Sequence, residues 1–523
     1  MEGYFVISYV VQLTGALLLG YLVYNVVYHL TMSPLRHIPG PLLARLSKRY
    51  YELVSATGMM ALNGRQNAHK YGDIYVCQPE TVSISDPADI RTVLSTSTIT
   101  KHPYYKLLRF TGKDSIMSTL ELEVVSKKRR TFGPYMTTSY ISKMESLLME
   151  HGIKAIIAQW DKELAATQPG ACEINYCHTF NLYLFNQVSR LVFGKEIQEL
   201  KNVDAQKKLQ WITESTTFIS MRALFQLLPR PIFYLFIRPW EHMYDQISEH
   251  VALSIKERKQ LLSGIEKAGI QKPVDLLQAL MDCEDPESKV RLTAEQIHAE
   301  ALLLLIGGID PTAFTLTWTV HLLMLYPECY RRAVNEIREL YPCSSSGILS
   351  YSNVKSTLPY LEACILESLR LVPVPSVQIP RKIPAEGVTI KGHYIPGGTA
   401  VFINMWGSHT SEKYWADPFK FDPMRFLDKD PKLNRQRRHS IFTFGYGNRI
   451  CMGKHLAWVN LMTILANLLR NYNISLPKNY ARCGPHIIDP QTGHPKLMDM
   501  TMFITNKPKN PDVDCRMVIS KAC

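Results

Sequence analysis

Apolar and polar positions follow different spacings along the chain, and the first stretch is almost entirely apolar. Residues 4–30 carry no charged side chain, and only Gln12, Thr14, Asn25 and His29 interrupt their apolar or weakly polar run. A helix of this length can cross the hydrocarbon core of a bilayer. The pattern therefore predicts a transmembrane anchor over residues 4–30.

The charges on either side of this run indicate its orientation. No Lys or Arg precedes it, whereas Arg36, Arg45, Lys48 and Arg49 follow it. Cytosolic flanks of membrane helices are enriched in Lys and Arg, and a cleaved signal peptide would begin with a basic region. We therefore expect a single-pass anchor whose C-terminal side faces the cytosol.

Prolines follow the anchor directly. Pro34, Pro39 and Pro41, together with Gly40, fall within a few residues of its end. Proline fixes φ and cannot donate a helical hydrogen bond, so that these residues end the helix and stiffen the chain. They predict a hinge over residues 31–45.

The rest of the chain mixes short strand-like alternations with longer helical periodicities. Strand patterns lie within residues 70–100 and again within residues 379–403, where Gly and Pro break the apolar runs. Residues 140–270 and most of the remainder have helical spacing. We expect a fold that is mainly α with small β-sheets (α+β).

No low-complexity linker divides this body, which predicts one catalytic domain over residues 46–505. Residues 428–440 are strongly polar and predict an exposed loop. The last residues, 506–523, contain polar residues and proline and predict a loosely held tail.

The longest helical pattern begins at Thr293, where Thr293 and Gln296 fit a capping box, and extends to Tyr326. A glycine pair, Gly307-Gly308, lies in its middle, followed by Asp310, Pro311 and Thr312. Pro311 has no N–H to donate to the carbonyl four residues earlier, which predicts a kink at this point.

Composition narrows the functional classes. The 523 residues are 46% hydrophobic and carry a formal charge of +13, yet the basic residues form no stripe interleaved with aromatics. This excludes a nucleic-acid partner and favours a membrane surface or an acidic protein. The 11 cysteines contain no C-x-x-C pair, which favours free thiols in a reducing compartment. Cys172, Cys177 and His178 approach a metal cluster but have no fourth ligand.

One cysteine lies in a turn that is rich in glycine. Gly445, Gly447 and Gly453 surround Cys451, and Arg449 lies two residues before it. Glycine lets backbone approach a flat group closely, and an apolar helical pattern starts just after the turn. Helix N-termini and nearby cations both favour a thiolate. A buried structural cysteine beside a turn is the alternative.

This segment resembles the haem-ligand signature of the cytochrome P450 family, Phe-x-x-Gly-x-Arg-x-Cys-x-Gly. Each fixed position of that signature is matched, by Phe444, Gly447, Arg449, Cys451 and Gly453. Residues 307–312 resemble the family's oxygen-activation motif, except that Pro311 stands where a threonine is usual.

Two further motifs resemble the structural ion network of the family. Glu367 and Arg370 match its Glu-x-x-Arg pair, and Arg425 matches the arginine of Pro-x-Arg-Phe. Residues at i and i+3 share a helix face. Glu328 and Arg331 have the same spacing, but the apolar surroundings of Glu367 favour the first pair.

The resemblance implies haem b with Cys451 as its iron ligand. It implies that Phe444, Gly445, Arg449 and Gly453 contact the haem and that Arg129, Arg381 and Arg449 hold its propionates. It also implies that Gly307 and Gly308 admit haem and dioxygen, and that Asp310 and Thr312 deliver protons. The family often has Trp or His four residues before Arg129, where this chain has Val125.

The resemblance, which is closest in style to fungal microsomal members, also implies an activity. We expect a haem-thiolate monooxygenase of the endoplasmic reticulum membrane that uses O2 and electrons from NADPH. They would pass through NADPH–cytochrome P450 reductase, with cytochrome b5 as a second candidate donor. Terpenoid, steroid or polyketide scaffolds are the expected lipophilic substrates. A basic surface for the reductase is predicted at Arg435, Arg437, Arg438, His439 and Lys454.

Two alternatives remain open at this point. Pro311 is compatible with a haem-thiolate isomerase or dehydratase that does not reduce oxygen. The chain is also compatible with a non-catalytic haem-binding membrane protein.

Overall fold

The computed structural model describes residues 2–109, 113–167, 170–194, 209–210, 214, 217, 230–268, 271–344, 347–374, 379–478, 480 and 482–523. The helices are α1 (Glu2–Val27), α2 (Leu42–Leu46), α3 (Lys48–Ala56), α4 (Met60–Tyr71), α5 (Pro87–Ser95), α6 (Leu122–Phe132), α7 (Thr138–Ser142), α8 (Glu145–Leu148), α9 (Ala155–Ala166), α10 (Tyr176–Phe193), α11 (Arg230–Ala268), α12 (Leu276–Asp282), α13 (Ala294–Leu325), α14 (Pro327–Leu340), α15 (Tyr351–Val354), α16 (Pro359–Leu371), α17 (Met405–His409), α18 (Pro431–Arg438), α19 (Lys454–Asn471) and α20 (Pro511–Asp514). The strands are β1 (Ile74–Gln78), β2 (Thr81–Ile84), β3 (Thr100–Lys101), β4 (Ala171–Asn175), β5 (Ile379–Lys382), β6 (Val388–Ile390), β7 (His393–Ile395), β8 (Ala400–Ile403), β9 (Tyr472–Ser475), β10 (Met500–Met502), β11 (Asn506–Pro508) and β12 (Arg516–Lys521). Helices dominate over small sheets, which confirms the predicted fold class.

The N-terminal helix is a candidate membrane span. A continuous helical stretch, Ile7–Met32, has a mean hydropathy of 1.7, and its side chains are exposed. Helix α13 is also long and apolar enough to span a bilayer, but it is mostly buried inside the protein. The hinge packs on the body through Leu35 and Ile38, which are both buried.

The largest sheet has the strand order β1-β2-β8-β5-β3. Its strands come from the two regions where the sequence predicts β-structure. The edge strand β3 pairs antiparallel with β5, and this register sets Lys101 opposite Arg381. Two basic residues that are far apart in the sequence therefore become neighbours at one edge of the sheet.

Helix α13 crosses the protein core and packs against α10. The predicted capping box is present, because the Thr293 side chain accepts from the Gln296 N–H and the Gln296 side chain accepts in return. The helix continues through Pro311 and ends at Leu325. Its burial places Asp310 in the interior, whereas Gly307, one turn earlier, is exposed.

The prediction of a loosely held tail is wrong. Strand β12 lies between β4 and β9 in a three-stranded sheet, with Met517 and Ile519 buried. Alternating side chains of a strand reach opposite faces, and here one face packs on the core. The tail is held because its partners lie far away in the sequence.

The prediction of an exposed loop over residues 428–440 is also wrong in part. Helix α18 occupies most of it, with Asp430 as its N-cap and Pro431 in its first turn. Both features favour the start of a helix. The charged side chains are therefore presented from a helix.

Nine cysteines have free thiols, as the sequence predicts, whereas Cys343 and Cys523 form a disulfide. Cys172 and Cys177 are buried and His178 is exposed. Within the described ranges, no group of three or more His, Cys, Asp or Glu could hold a metal ion. These residues are ordinary parts of the fold.

Candidate active site

Backbone contacts fix the shape of the Cys451 loop. The Cys451 N–H donates to the Phe444 carbonyl at 2.8 Å, which closes the loop. Gly445 and Gly447 have φ values of 71° and 67°, a region that favours glycine. A Cβ on Gly447 would lie 2.8 Å from the Leu94 carbonyl oxygen, so that no side chain fits there.

The Cys451 thiol faces open space although it lies deep in the protein. Its side chain is accessible to water, whereas the surrounding protein raises the thiol pKa through burial. The Gly453 and Lys454 N–H groups and the Arg129 charge act in the opposite direction and lower that pKa. The two N–H groups lie at the start of α19, where free N–H groups favour an anion.

Basic residues from separate elements converge around Arg449, which lies two residues before Cys451. Arg129 of α6 donates from Nη2 to the Ile450 carbonyl at 2.6 Å. Arg449 donates to the Ile99 carbonyl at 2.8 Å, and Arg381 donates to Tyr105 Oη at 2.9 Å. Burial, followed by the charge of Arg381, lowers the pKa of Arg449 to about 10.

Each of the three guanidinium groups also has one N–H donor that is not used. Arg129 Nε, Arg381 Nε and Arg449 Nη2 are buried and have no hydrogen-bond partner in the part of the chain that the structure describes. Buried N–H groups normally have a partner. The cluster therefore has the charge and the free donors to receive an anion.

The predicted ion network is assembled and fully buried. Arg370 donates from Nε and Nη2 to the two Glu367 carboxylate oxygens, each at 2.7 Å. Arg425 Nε donates to Glu367 Oε1 at 3.1 Å. Arg331 instead lies at the surface, so that the apolar context identified the correct pair. Such a network is strongly destabilised when one partner is removed.

The two glycines of α13 face different surroundings. Gly307 is exposed, and a Cβ placed there would find only Leu303, at 4.0 Å. A Cβ on Gly308 would lie 3.3 Å from a methyl group of Val188 in α10. That both glycines admit a cofactor stays a prediction, and the position of Gly308 next to Val188 also gives it a role in helix packing.

Asp310 is fully buried, and neither carboxyl oxygen has a hydrogen-bond partner among the described residues. Burial raises the pKa of this carboxyl to about 7, and the charge of Lys507 opposes the rise. Thr312 is also buried, at 5% exposure. Residues two apart on a helix do not face each other, so that Asp310 and Thr312 do not form a direct pair.

Comparisons with known proteins agree with this arrangement. The family model described as Cytochrome P450 matches residues 41–485. The chain belongs to the cytochrome P450 family. It is 36% identical to Cytochrome P450 monooxygenase helB1 of Aspergillus fumigatus over 98% of this chain and 86% of that protein. It is 39% identical to Cytochrome P450 monooxygenase helB2 of the same organism over 94% of this chain and 95% of that protein.

These similarities make this P450 an oxidoreductase of the monooxygenase type. Haem b is the cofactor of the family, O2 is its co-substrate, and a reductase partner supplies electrons. The observed residues fit that cofactor. A thiol lies at a helix start beside a positive cluster with unused N–H donors, and haem carries two carboxylates that need such donors.

The sequence did not predict two basic residues near the site of this P450. Lys101 of β3 lies near Arg129, Arg381 and Arg449, and Lys507 of β11 lies near Asp310. Their signals in the sequence are weak, since each is a single lysine in a short strand. Only the sheet register and the position of the C-terminal hairpin bring them to the site.

Proposed function

We propose that Cys451 is the axial iron ligand of this P450 and that Arg129, Arg381 and Arg449 hold the haem propionates. The unused guanidinium donors beside the thiol carry this proposal. Phe444 supports the Cys451 loop through its ring, whose centroid lies 6.4 Å from that of Trp458. Gly445 and Gly453 keep the loop free of side chains where the flat cofactor would approach it.

The α13 residues would act on the opposite side of the cofactor. Bound haem supplies dioxygen activation with electrons from the reductase. Gly307 leaves open space there. Asp310 would hold or release a proton near neutral pH, since burial raises its pKa to about 7. Thr312 would take part through ordered water, since its side chain does not face Asp310.

The substrate would be a lipophilic small molecule. Leu303 and Leu304 are half-buried and lie within one turn of the exposed Gly307, which gives this part of α13 an apolar face. Leu107 and Leu108 are also partly buried apolar residues. Terpenoid, steroid and polyketide scaffolds fit such a lining, because they bind mainly through buried apolar area.

The substrate would reach the site from the membrane. Leu42, Leu43 and Leu53 are exposed apolar residues close to the hinge. A cleft of about 370 Å³ nearby is lined by Tyr50, Leu53, Val54, Thr57, Met59, Leu62, Asn63 and Gln66. We place the catalytic body on the cytosolic face of the endoplasmic reticulum, with α1 as its anchor.

Electrons would arrive from NADPH–cytochrome P450 reductase at the basic surface around α18, with cytochrome b5 as a second candidate donor. Arg435 and His439 are exposed there. Arg438 forms an ion pair with Glu362 at 2.9 Å, and Arg437 bonds the Arg425 carbonyl. Exposed positive charge steers an acidic partner and loses strength as salt rises. Coupling to reductase should therefore fall with ionic strength.

The test is turnover of the full-length protein with reductase in lipid vesicles. A reduced carbon-monoxide difference spectrum should show a thiolate-type Soret band. Incubation with ¹⁸O2 and a panel of polycyclic lipophilic compounds should consume NADPH and place ¹⁸O in a product. Product formation without NADPH or O2 would identify an isomerase or dehydratase instead, in which Pro311 replaces the usual threonine. Absence of the Soret band would contradict the role of Cys451.

A further inference from the structure

A buried lysine donates three hydrogen bonds to one loop next to the active site. Lys101 is 7% exposed. Its Nζ donates to the carbonyl oxygens of Ile116, Met117 and Thr119 at 2.7, 3.0 and 3.0 Å. An ammonium group has three donors, and all of them are used on a single stretch of backbone. Lys101 therefore fixes the segment 114–119.

The same lysine lies in an unfavourable electrostatic field. The guanidinium groups of Arg449, Arg381 and Arg129 oppose its charge, and Glu300 favours it. Burial is the largest cause and lowers the Lys101 pKa to about 7, and the three arginines add to this effect. The Tyr105 ring, at 5.3 Å, is the remaining close partner of its ammonium group. Among the described residues, the three hydrogen bonds of Lys101 therefore depend on an ammonium charge that the three arginines destabilise.

A second lysine holds the same segment in a different way. Lys128 Nζ donates to Glu300 Oε1 at 2.8 Å and also to the Asp114 carbonyl. Glu300 Oε1 in turn accepts the Ile116 N–H at 2.8 Å. The positive charge of Lys128 is therefore balanced by the Glu300 carboxylate. The charges of Arg449, Arg381 and Arg129 act on Lys101.

We propose that Lys101 is a positioning residue that ties the order of segment 114–119 to the charge of the haem propionates. The inference rests on occupancy of the site by haem and goes beyond the proposed function of that site. Two propionates between Arg129, Arg381 and Arg449 would cancel much of their positive charge. The Lys101 ammonium would then keep its charge and its three hydrogen bonds.

This link has a consequence for substrate binding. Segment 114–119 is attached to α13 at Glu300, about two turns before Gly307. We take segment 114–119 as part of the wall of the substrate cavity, because it contacts the same helix as the exposed Gly307. When the propionates neutralise the three arginines, segment 114–119 would be held in place. Without that neutralisation, the segment would become mobile.

The test compares native haem with haem dimethyl ester, whose propionates carry no charge. Full-length protein in phosphatidylcholine nanodiscs is loaded with either cofactor, and the Soret band verifies loading. Hydrogen exchange is then followed by mass spectrometry on peptides covering 114–119. We expect about tenfold faster exchange with the ester in the wild-type protein, the effect of losing one buried hydrogen bond. With the ester, protection should also decline further as pH rises past about 7, where Lys101 loses its proton.

Two variants complete the test. Lys101→Met should exchange rapidly in this segment with either cofactor, because it has no ammonium group. Lys106→Met, which removes an exposed lysine of the neighbouring turn, should keep the wild-type difference between cofactors.

Each arm decides without the other. Equal exchange with both cofactors in the wild-type protein would overturn the proposal, and so would full protection in Lys101→Met with native haem. Lys101→Met with native haem tests the hydrogen bonds of Lys101 alone, whereas the comparison of the two cofactors tests their link to the propionate charge. No arm uses substrate or turnover, so that a failure here is distinct from a failure of the monooxygenase assay.

Discussion

In the Cys451 loop, the backbone is fixed by a hydrogen bond to Phe444 and by close contact with Leu94. The middle of α13 instead contains a carboxyl group that has no hydrogen-bond partner among the described residues. The first region holds its key atom by geometry. The second holds Asp310 in a buried position where its charge is costly. Under the proposed function the two regions lie on opposite sides of the haem; we call the Cys451 loop with the Glu367 network the rigid wall and the middle of α13 the loosened wall.

Under the proposed function, the difference follows from what each region would have to do. An iron ligand has to stay in one place and one protonation state, which favours N–H donors and cations around Cys451. A proton-transfer group has to gain and lose a proton near neutral pH, which favours a pKa near the working pH. The buried Glu367 network adds rigidity to the first region. Pro311 loosens α13, because it removes one helical hydrogen bond.

Replacing the proposed ligand should have the largest effect. Cys451→Ser should remove the thiolate-type Soret band and reduce turnover by about 10⁴-fold or more, which corresponds to more than about 5 kcal/mol. The reduced carbon-monoxide difference spectrum and product formation measure this. Cys172→Ser, a buried thiol in β4, is the matched control and should keep the band. Retention of the band in Cys451→Ser would remove the basis of the comparison.

The rigid wall should be weakened next most by Glu367→Gln. This change leaves Arg370 and Arg425 buried without their counter-charge, at a cost of about 3–5 kcal/mol. Urea-induced loss of the Soret band gives the free energy of unfolding. Glu328→Gln alters the equivalent position of the surface pair and should cost less than about 0.5 kcal/mol. Similar losses in both variants would show that the buried network contributes no more than a surface pair.

In the middle of α13, the buried carboxyl of Asp310 should make the free energy of unfolding depend on pH. A raised carboxyl pKa means that the folded protein binds a proton on Asp310 that the unfolded chain releases above the ordinary value of 3.8. Stability from this group is therefore present at low pH and is lost as pH rises toward about 7. The loss amounts to about 4 kcal/mol.

Asp310→Asn should remove that part of the pH dependence of the unfolding free energy. The measurement is urea unfolding between pH 5 and pH 8. Asp512→Asn, at an exposed position, should keep the wild-type slope. An unchanged slope in Asp310→Asn would mean that Asp310 titrates in its ordinary range, and the contrast between the two walls would lose its electrostatic part.

The arginines on the propionate side should have an intermediate effect. Arg381→Leu removes a buried cation and should accelerate haem loss about 30-fold, which corresponds to about 2 kcal/mol for a charge-assisted hydrogen bond. Transfer of haem to an excess of a high-affinity acceptor protein gives the rate. Lys382→Leu changes the adjacent exposed cation on the same strand and should leave the rate unchanged. Equal rates in both variants would exclude Arg381 from the propionate site.

The sequence predicted these regions to different depths. Local patterns were sufficient for the capping box at Thr293 and for the choice of Glu367 over Glu328, since both depend on neighbours within a few turns. The packing of Gly308 on Val188 was not predictable from spacing, because α10 lies more than a hundred residues away. Lys101 was missed for the same reason, since its role depends on the register between β3 and β5.

The C-terminal strand gives a further lesson about long-range contacts. The buried residues Met517 and Ile519 alternate with the less buried Val518 and Ser520, and this alternation covers only a few residues. A short alternation is weak evidence for a strand until its partners are known. Strands β4 and β9 provide those partners, and only tertiary structure brings them together.

The smallest expected effect concerns the proline that distinguishes the α13 wall. Pro311→Ala restores an N–H that can donate to the Gly307 carbonyl, and it should raise the unfolding free energy by about 1 kcal/mol. Pro359→Ala is the matched control, because proline in the first turn of α16 interrupts no helical bond. That variant should lose a few tenths of a kcal/mol through greater freedom of the unfolded chain. Urea unfolding measures both changes. If Pro311→Ala is less stable than the wild type, then α13 has adapted to its proline, and the contrast between a rigid wall and a loosened wall does not hold at this position.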